Sequence, residues 1–160
     1  ILFSGILTGI YTTNSPEACH YILESSKANI LIVDDYEQMA KIQQFKDKLS
    51  NLKAIVQIFA ENVNRDEGYW QWDELTSLNT EDIEAKYLER LSLMKATDCC
   101  CIIYTSGTTG KPKGAMLSSD NLVFSCSTHS YKVSVGEERF ISYLPLSHIA
   151  GLFLHFLKIP

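Results

Sequence analysis

The residues best equipped for chemistry in this 160-residue chain lie between Tyr104 and Gly114. The stretch reads Tyr104-Thr105-Ser106-Gly107-Thr108-Thr109-Gly110-Lys111-Pro112-Lys113-Gly114, with three glycines, four serines or threonines, two lysines and one proline. Apolar runs, Cys99 to Tyr104 and Ala115 to Leu117, lead in and out. A polar, glycine-rich loop between two strands can turn backbone N–H groups, hydroxyls and ammonium groups toward a polyanion. Gly107 and Gly110 let the backbone approach oxygens closely. Ser106, Thr108 and Thr109 can donate hydroxyl hydrogen bonds. Lys113 can offset the charge that develops as pyrophosphate leaves. The stretch therefore reads as a holder for the phosphates of ATP.

Spacing excludes two other phosphate loops. A Walker A loop needs G-x-x-x-x-G-K-[ST]. Counted from Gly107 its second glycine falls on Pro112, and counted from Gly110 it falls on Ala115. The dinucleotide fingerprint G-x-G-x-x-G is absent, and a strand rather than a helix follows the loop. Among the histidines, His148 follows Pro145-Leu146-Ser147 and on its own reads as a capping or partly buried structural residue. His20, His129 and His155 read as structural or surface residues.

The elements that must position the loop follow from the hydrophobic pattern. Ile1 to Thr13 reads as a helix end followed by a strand at Gly9 to Thr12. Ser15 caps a helix that Pro16 opens. Ile30 to Val33 is wholly apolar, as in a strand buried on both faces. Asp34-Asp35 caps a helix to about Leu49, with Met39, Ile42, Phe45 and Leu49 at helical spacing. Leu52 to Phe59 is the next strand. This alternation implies an α/β fold with a mostly parallel sheet. Glu61 to Asn79 reads as a surface excursion ending in a helical turn at Trp72 to Leu78. Thr80 caps a helix from Glu81 to about Met94. Cys99 to Thr105, the loop and Ala115 to Leu117 form a strand–loop–strand unit. Ser118 or Ser119 then caps a helix to about Tyr131, and Phe140 to Leu144 is a last strand.

Composition narrows the rest. Apolar content of 46% and charged content of 21% suit one globular domain with a proper core. With a net charge of −5 and the basic residues scattered outside the loop, nothing suggests a nucleic-acid surface. Five cysteines, three of them adjacent at Cys99 to Cys101, argue against a disulfide framework and for a reducing compartment. Neighbouring strand residues alternate faces, so the triplet makes a poor metal site and reads as small buried hydrophobes. The chain starts at Ile1 without a signal-peptide pattern and stops at Pro160 after an apolar run, which reads as a fragment of a longer protein.

At the loop the chain resembles the adenylate-forming (AMP-binding) enzymes, which include acyl-CoA synthetases, aryl-CoA ligases, luciferases and peptide-synthetase adenylation domains. Two further stretches carry the resemblance. Gly9-Ile10-Tyr11-Thr12-Thr13-Asn14-Ser15-Pro16-Glu17-Ala18-Cys19 resembles the segment where such enzymes begin a strand–turn–helix unit. Ser142-Tyr143-Leu144-Pro145-Leu146-Ser147-His148-Ile149-Ala150 resembles the motif that follows the phosphate loop in long-chain acyl-CoA synthetases. Together the wording is most like the bubblegum branch, which activates long- and very-long-chain fatty acids.

The resemblance implies that residues 1–160 are part of the large N-terminal AMP-binding domain, with the C-terminal small domain absent. It implies that Thr105, Ser106, Gly107, Thr108, Thr109, Gly110 and Lys113 contact the β- and γ-phosphates. Lys113 and His148 are then the catalytic candidates, the His148 ring lying near the acyl carboxylate and shifting between the half-reactions. Lys111 occupies a variable position. The implied substrates are a long-chain fatty acid, ATP and coenzyme A, with Mg²⁺ offsetting the phosphate charge and no metal ligand in this stretch. The implied location is the cytoplasm, with peripheral attachment to the endoplasmic reticulum or other membranes. The family's adenine-binding segment, its Mg²⁺-holding acid, its ribose-binding aspartate, its hinge and its C-terminal lysine are absent, so activity belongs to the intact enzyme. Ser119 stands where related sequences often have His, and the segment after Ala150 lacks the polar positions expected there. Two alternatives stay open: a catalytically inactive chain with weak nucleotide binding, and another adenylate-forming chemistry such as an aryl-CoA ligase or luciferase.

Overall fold

A computed structural model describes residues 5–59, 68–78, 82–105, 111–130 and 143–156, with the backbone alone at 129–130 and 153–156. In chain order the elements are β1 (Leu7–Thr8), α1 (Pro16–Ser26), β2 (Ile30–Val33), α2 (Tyr36–Gln43), β3 (Ala54–Gln57), β4 (Tyr69–Gln71), α3 (Trp72–Ser77), α4 (Ile83–Leu93), β5 (Cys99–Thr105), β6 (Lys113–Ser118), α5 (Ser119–Ser130) and α6 (Ile149–Phe156). They fall into two compact units, residues 12–83 and residues 1–11 with 84–160. Among the described residues three of the four strand pairings are parallel, as the alternating pattern predicts. No described helix is long and apolar enough to cross a membrane.

In residues 12–83 the helix starts are written in the sequence. The Ser15 hydroxyl accepts from the Ala18 N–H at 3.3 Å, with Pro16 opening α1. The helix stops at Lys27, which is left-handed at φ 53°. There the Lys27 N–H donates to the Glu24 carbonyl and the Ala28 N–H to the Leu23 carbonyl, each at 3.1 Å, which closes a Schellman turn. The Asp35 carboxylate accepts from the Gln38 N–H at 3.0 Å to start α2. The expected helix to Leu49 is shorter in fact. It ends at Gln43 and resumes as a 3-10 turn at Lys46–Lys48. Met39, Ile42, Phe45 and Leu49 are nevertheless all buried, so the spacing predicted the buried face but not the helical continuity.

Strand β2 runs parallel to β3, with Ile30 opposite Ala54 and Val33 opposite Gln57. It was expected to be buried on both faces, but Leu31 and Val33 are buried while Ile30 is 61% exposed and Ile32 50% exposed. The stretch expected to be a surface excursion contains a strand, because Tyr69–Gln71 pairs parallel with β3 as β4. Gly68, at φ 80°, turns the chain into it and accepts from the Ile55 N–H at 2.9 Å. Helix α3 follows as expected. Thr80, the expected cap of α4, lies outside the described residues.

The other unit holds the loop. Its first strand is Leu7–Thr8 rather than Gly9 to Thr12. It pairs with β5, Leu7 opposite Cys101 and Thr8 opposite Ile102, so the early alternation is split between two sheets, β1-β5-β6 and β2-β3-β4. Strand β6 is antiparallel to β5. Between Cys99 and Cys101 the register slips, so that two steps along β5 meet a single step of β6 from Ser118 to Leu117. That bulge breaks the expected alternation of the cysteine triplet, leaving Cys100 and Cys101 both buried. They form the core with Ile103, Leu122 of α5 and Leu152 of α6, flanked by Leu117 and Ile149. Ser118 starts α5 in a reciprocal cap: its hydroxyl accepts from the Asn121 N–H at 3.2 Å, and its N–H donates to the Asn121 side-chain oxygen at 3.1 Å. Most of the last expected strand lies outside the described residues, and Tyr143 and Leu144 are not in a strand.

Candidate active site

Strands β5 and β6 are the stem of the glycine-rich loop, and their register sets its two ends side by side. Thr105 lies opposite Lys113. The Thr105 hydroxyl donates to the Lys113 carbonyl at 3.5 Å, and both side chains are exposed. Ser106, Gly107, Thr108, Thr109 and Gly110, the other phosphate candidates, lie outside the described residues.

Alternation along the strands sorts the stem into faces. Thr105 and Lys113 share the face of Ile103, which packs with Leu122 and Leu152 under α5 and α6. Ile102, Tyr104 and Gly114 share the other face. There the position a Cβ would take at Gly114 is 2.7 Å from the Ile102 side chain and 3.2 Å from the Tyr104 ring. The third glycine of the stretch is thus required by strand packing. Tyr104 was missed as a site-building residue, although an aromatic paired with a glycine across a hairpin was a legible signal.

His148 heads α6. Its N–H donates to the Pro145 carbonyl at 2.9 Å, and its carbonyl accepts from the Leu152 N–H at 3.0 Å. Its Nδ1 accepts from the Ala150 N–H at 3.1 Å. The capping role that the residue suggests by itself is therefore real, and the side chain is still exposed. Two close contacts hold the turn before it. A Cβ at Gly9 would sit 2.6 Å from the Ser147 Cα, and a Cβ at Gly151 would meet the Pro145 carbonyl oxygen and, at 2.9 Å, that of Leu144.

Those contacts locate His148 relative to the loop. Thr8 pairs with Ile102, and continuing that register sets Gly9 level with Ile103. Ile103 precedes Thr105 by two residues, about 6.6 Å along a strand. The Ser147–His148 turn thus reaches the end of the β1–β5 pair at which the loop begins, ahead of the helix that covers the Lys113 face. The carboxyl ends of parallel strands are where α/β sheets bind ligands. Gly9 and Ser147 come from two separate stretches of the sequence reading, and the fold brings them into contact.

Among the described residues the remaining polar groups offer no second centre. The Cys101 thiol is pushed up to about 12 by burial and by the neighbouring Cys100, and burial also raises Cys19 and Cys126. Such thiols are poor nucleophiles. Among the described residues no group of three or more His, Cys, Asp or Glu gathers to hold a metal. His20 lies in the other unit, its ring 4.9 Å from that of Phe45 and its Nε2 buried without a hydrogen-bond partner among the described residues. The side chains of His129 and His155 lie outside the description.

Comparison with known proteins follows the same lines. Residues 1–158 match the AMP-binding enzyme family. Over 153 residues the chain is 41% identical to the long-chain-fatty-acid–CoA ligase heimdall of Drosophila melanogaster, an overlap of 91% of this chain and 22% of that protein. Over 156 residues it is 42% identical to the long-chain-fatty-acid–CoA ligase ACSBG2 of Xenopus laevis, an overlap of 94% and 21%. The luciferase-like enzyme of the nonluminescent mealworm Zophobas morio shares the fold, with a TM-score of 0.70 at 17% identity over 94% of this chain and 34% of that one. The chain spans about a fifth of the length of the curated relatives it matches.

Proposed function

The chain belongs to the AMP-binding enzyme family, and on that premise we propose that it supplies the ATP-phosphate loop and an acyl-side histidine to a long-chain fatty acid–CoA ligase. The observation that carries the proposal is the pairing of Thr105 with Lys113 at the mouth of the loop, on the face whose covering helix starts at His148. The relatives named as long-chain-fatty-acid–CoA ligases support the choice of substrate.

The reaction has two steps. A fatty carboxylate oxygen attacks the α-phosphorus of ATP, and pyrophosphate leaves with the bonding electrons. The thiol of coenzyme A then attacks the acyl-adenylate carbonyl, AMP leaves, and the thioester forms. The first step brings an anion to a polyanion, so its barrier is largely electrostatic. Lys113 provides positive charge where pyrophosphate departs. Thr105, with Ser106, Gly107, Thr108, Thr109 and Gly110, holds the β- and γ-phosphates. Among the described residues no group of three or more His, Cys, Asp or Glu gathers to hold a metal, and the charge offset assigned to this chain's own residues is that of Lys113. The same reading sets the protein in the cytoplasm, with peripheral attachment to the endoplasmic reticulum or other membranes.

The test is ATP–pyrophosphate exchange by the intact enzyme with palmitate and, separately, with an aromatic acid. Exchange that depends on palmitate supports the proposal. Exchange with the aromatic acid and none with palmitate would replace it with the aryl-CoA ligase reading.

A further inference from the structure

Tyr104 and Gly114 form the rung of the stem next to the loop mouth, and only Tyr104 brings a side chain to it. We propose that Tyr104 is a positioning residue of the phosphate loop: its ring lies across Gly114 and clamps the two strands, so that Thr105 and Lys113 stand opposed before ATP arrives. The inference rests on the reading of the loop as the holder of the ATP phosphates, and it specifies what keeps the mouth of that loop in order.

The ring fills the space that a side chain on β6 would take. The position of a Cβ on Gly114 is 3.2 Å from Cζ of Tyr104 and 3.4 Å from its Cε1. The far side of the ring therefore lies over the Gly114 backbone. Among the described residues β6 is an edge of the sheet β1-β5-β6, so β5 alone holds it. A glycine weakens such a strand, and an aromatic ring laid over it from the neighbouring strand restores the pairing. Ile102, one rung deeper on the same face, adds a second contact 2.7 Å from the same position. Past Lys113 the ladder gains nothing on the β6 side, because Pro112 has no N–H to donate. The clamp thus sits near the end of the ladder, where pairing opens most readily.

Preorganisation is what such a clamp contributes. Thr105 and Lys113 are exposed, and strand alternation turns their side chains to the face opposite the ring. Tyr104 therefore acts through the backbone of the rung beside them and not by contact with phosphate. Were that rung open, ATP would have to order the backbone of both residues as it binds, and the lost entropy would come out of its affinity. The penalty falls on ATP and not on the fatty acid.

The test has two arms, both on the intact enzyme. The first is amide hydrogen exchange along β5 and β6 without ligand. Tyr104→Ala should speed exchange on the Tyr104–Gly114 and Thr105–Lys113 rungs roughly 10-fold or more, and Tyr104→Phe, which keeps the ring, should match wild type. Tyr104→Leu, apolar but too short to cross Gly114, should show the same change in smaller measure. The second arm is ATP–pyrophosphate exchange with palmitate. Tyr104→Ala should raise the KM for ATP roughly 10-fold or more and leave the KM for palmitate within about 2-fold of wild type, with Tyr104→Phe close to wild type in both. A merely structural loss would lower the amount of active enzyme without separating the two KM values. Unchanged amide exchange in Tyr104→Ala, or a Tyr104→Phe variant that behaves like it, would overturn the clamp while leaving the phosphate reading untouched. Faster amide exchange on those rungs with an unchanged KM for ATP would overturn the positioning role and the phosphate reading of the loop with it.

Discussion

Gly9 and Ser147 meet backbone to backbone: the position a Cβ would occupy on Gly9 is 2.6 Å from the Ser147 Cα and 2.9 Å from its Cβ. This contact ties the end of β1 to the turn that presents His148. A side chain there cannot be relieved by a rotamer change, because the obstacle is main chain. Gly9→Ala should therefore destabilise the intact enzyme by about 1–3 kcal/mol, as overpacking does. It should also slow adenylation by displacing His148. Gly5, with nothing within 4 Å, is the control: Gly5→Ala should melt within error of wild type. Equal melting of the two variants would show that the Gly9 contact is not tight.

The stem of the loop makes a second packing prediction. Gly114→Ala would drive a methyl group into Ile102 and the Tyr104 ring. It should lower stability by about 1–3 kcal/mol. Because Ile102 is the nearest obstacle, Ile102→Ala in the same chain should recover part of that loss, so the two changes will not add. Strict additivity in denaturant melts would mean that the two side chains do not compete for that space.

The end of α1 predicts a gain. Lys27 sits in the left-handed region at φ 53°, where a glycine has no Cβ penalty. Lys27→Gly should raise stability by about 0.5–1 kcal/mol. Chemical denaturation will measure it, and a loss would mean that the lysine side chain contributes more than the backbone strain removes.

The buried thiols predict a pH dependence. The Cys101 thiol is raised from 9.0 to about 12 by burial and by Cys100. The folded chain therefore holds this proton more tightly than the unfolded chain. Its contribution to stability is complete below about pH 9 and declines as pH rises toward 12. Cys101→Ala should flatten the alkaline fall of stability relative to wild type, whatever its stability at neutral pH. Parallel curves above pH 9 would contradict the assignment.

Much of this was legible in the residues, and the exceptions have physical causes. Ser15, the pair Asp34-Asp35 and Ser118 or Ser119 were legible as helix starts because capping is local chemistry, and of these Ser15, Asp35 and Ser118 form the capping bonds. The lengths of α2 and β1 were not legible, because helix continuity and strand pairing depend on distant partners. The β1–β5 pairing joins residues more than ninety positions apart, Leu7 and Cys101. Cys100 and Cys101 are buried together through a bulge that strand alternation cannot anticipate. At the site, residue order singled out the loop with Thr105 and Lys113, and only the family resemblance added His148. The fold added the register that pairs the first two, the cap on the third and the Gly9–Ser147 contact that relates it to the loop. The role of Gly114 was overlooked, although the aromatic Tyr104 ahead of the loop and the glycine after it mark a pair across a hairpin.

The central claim is that the β5–β6 stem holds the phosphates of ATP through Lys113. Single-turnover formation of palmitoyl-adenylate by Lys113→Ala in the intact enzyme tests it most directly. The account predicts a loss of roughly 100-fold or more in the rate of adenylate formation, with melting unchanged because the side chain is exposed. Adenylation at the wild-type rate would contradict it.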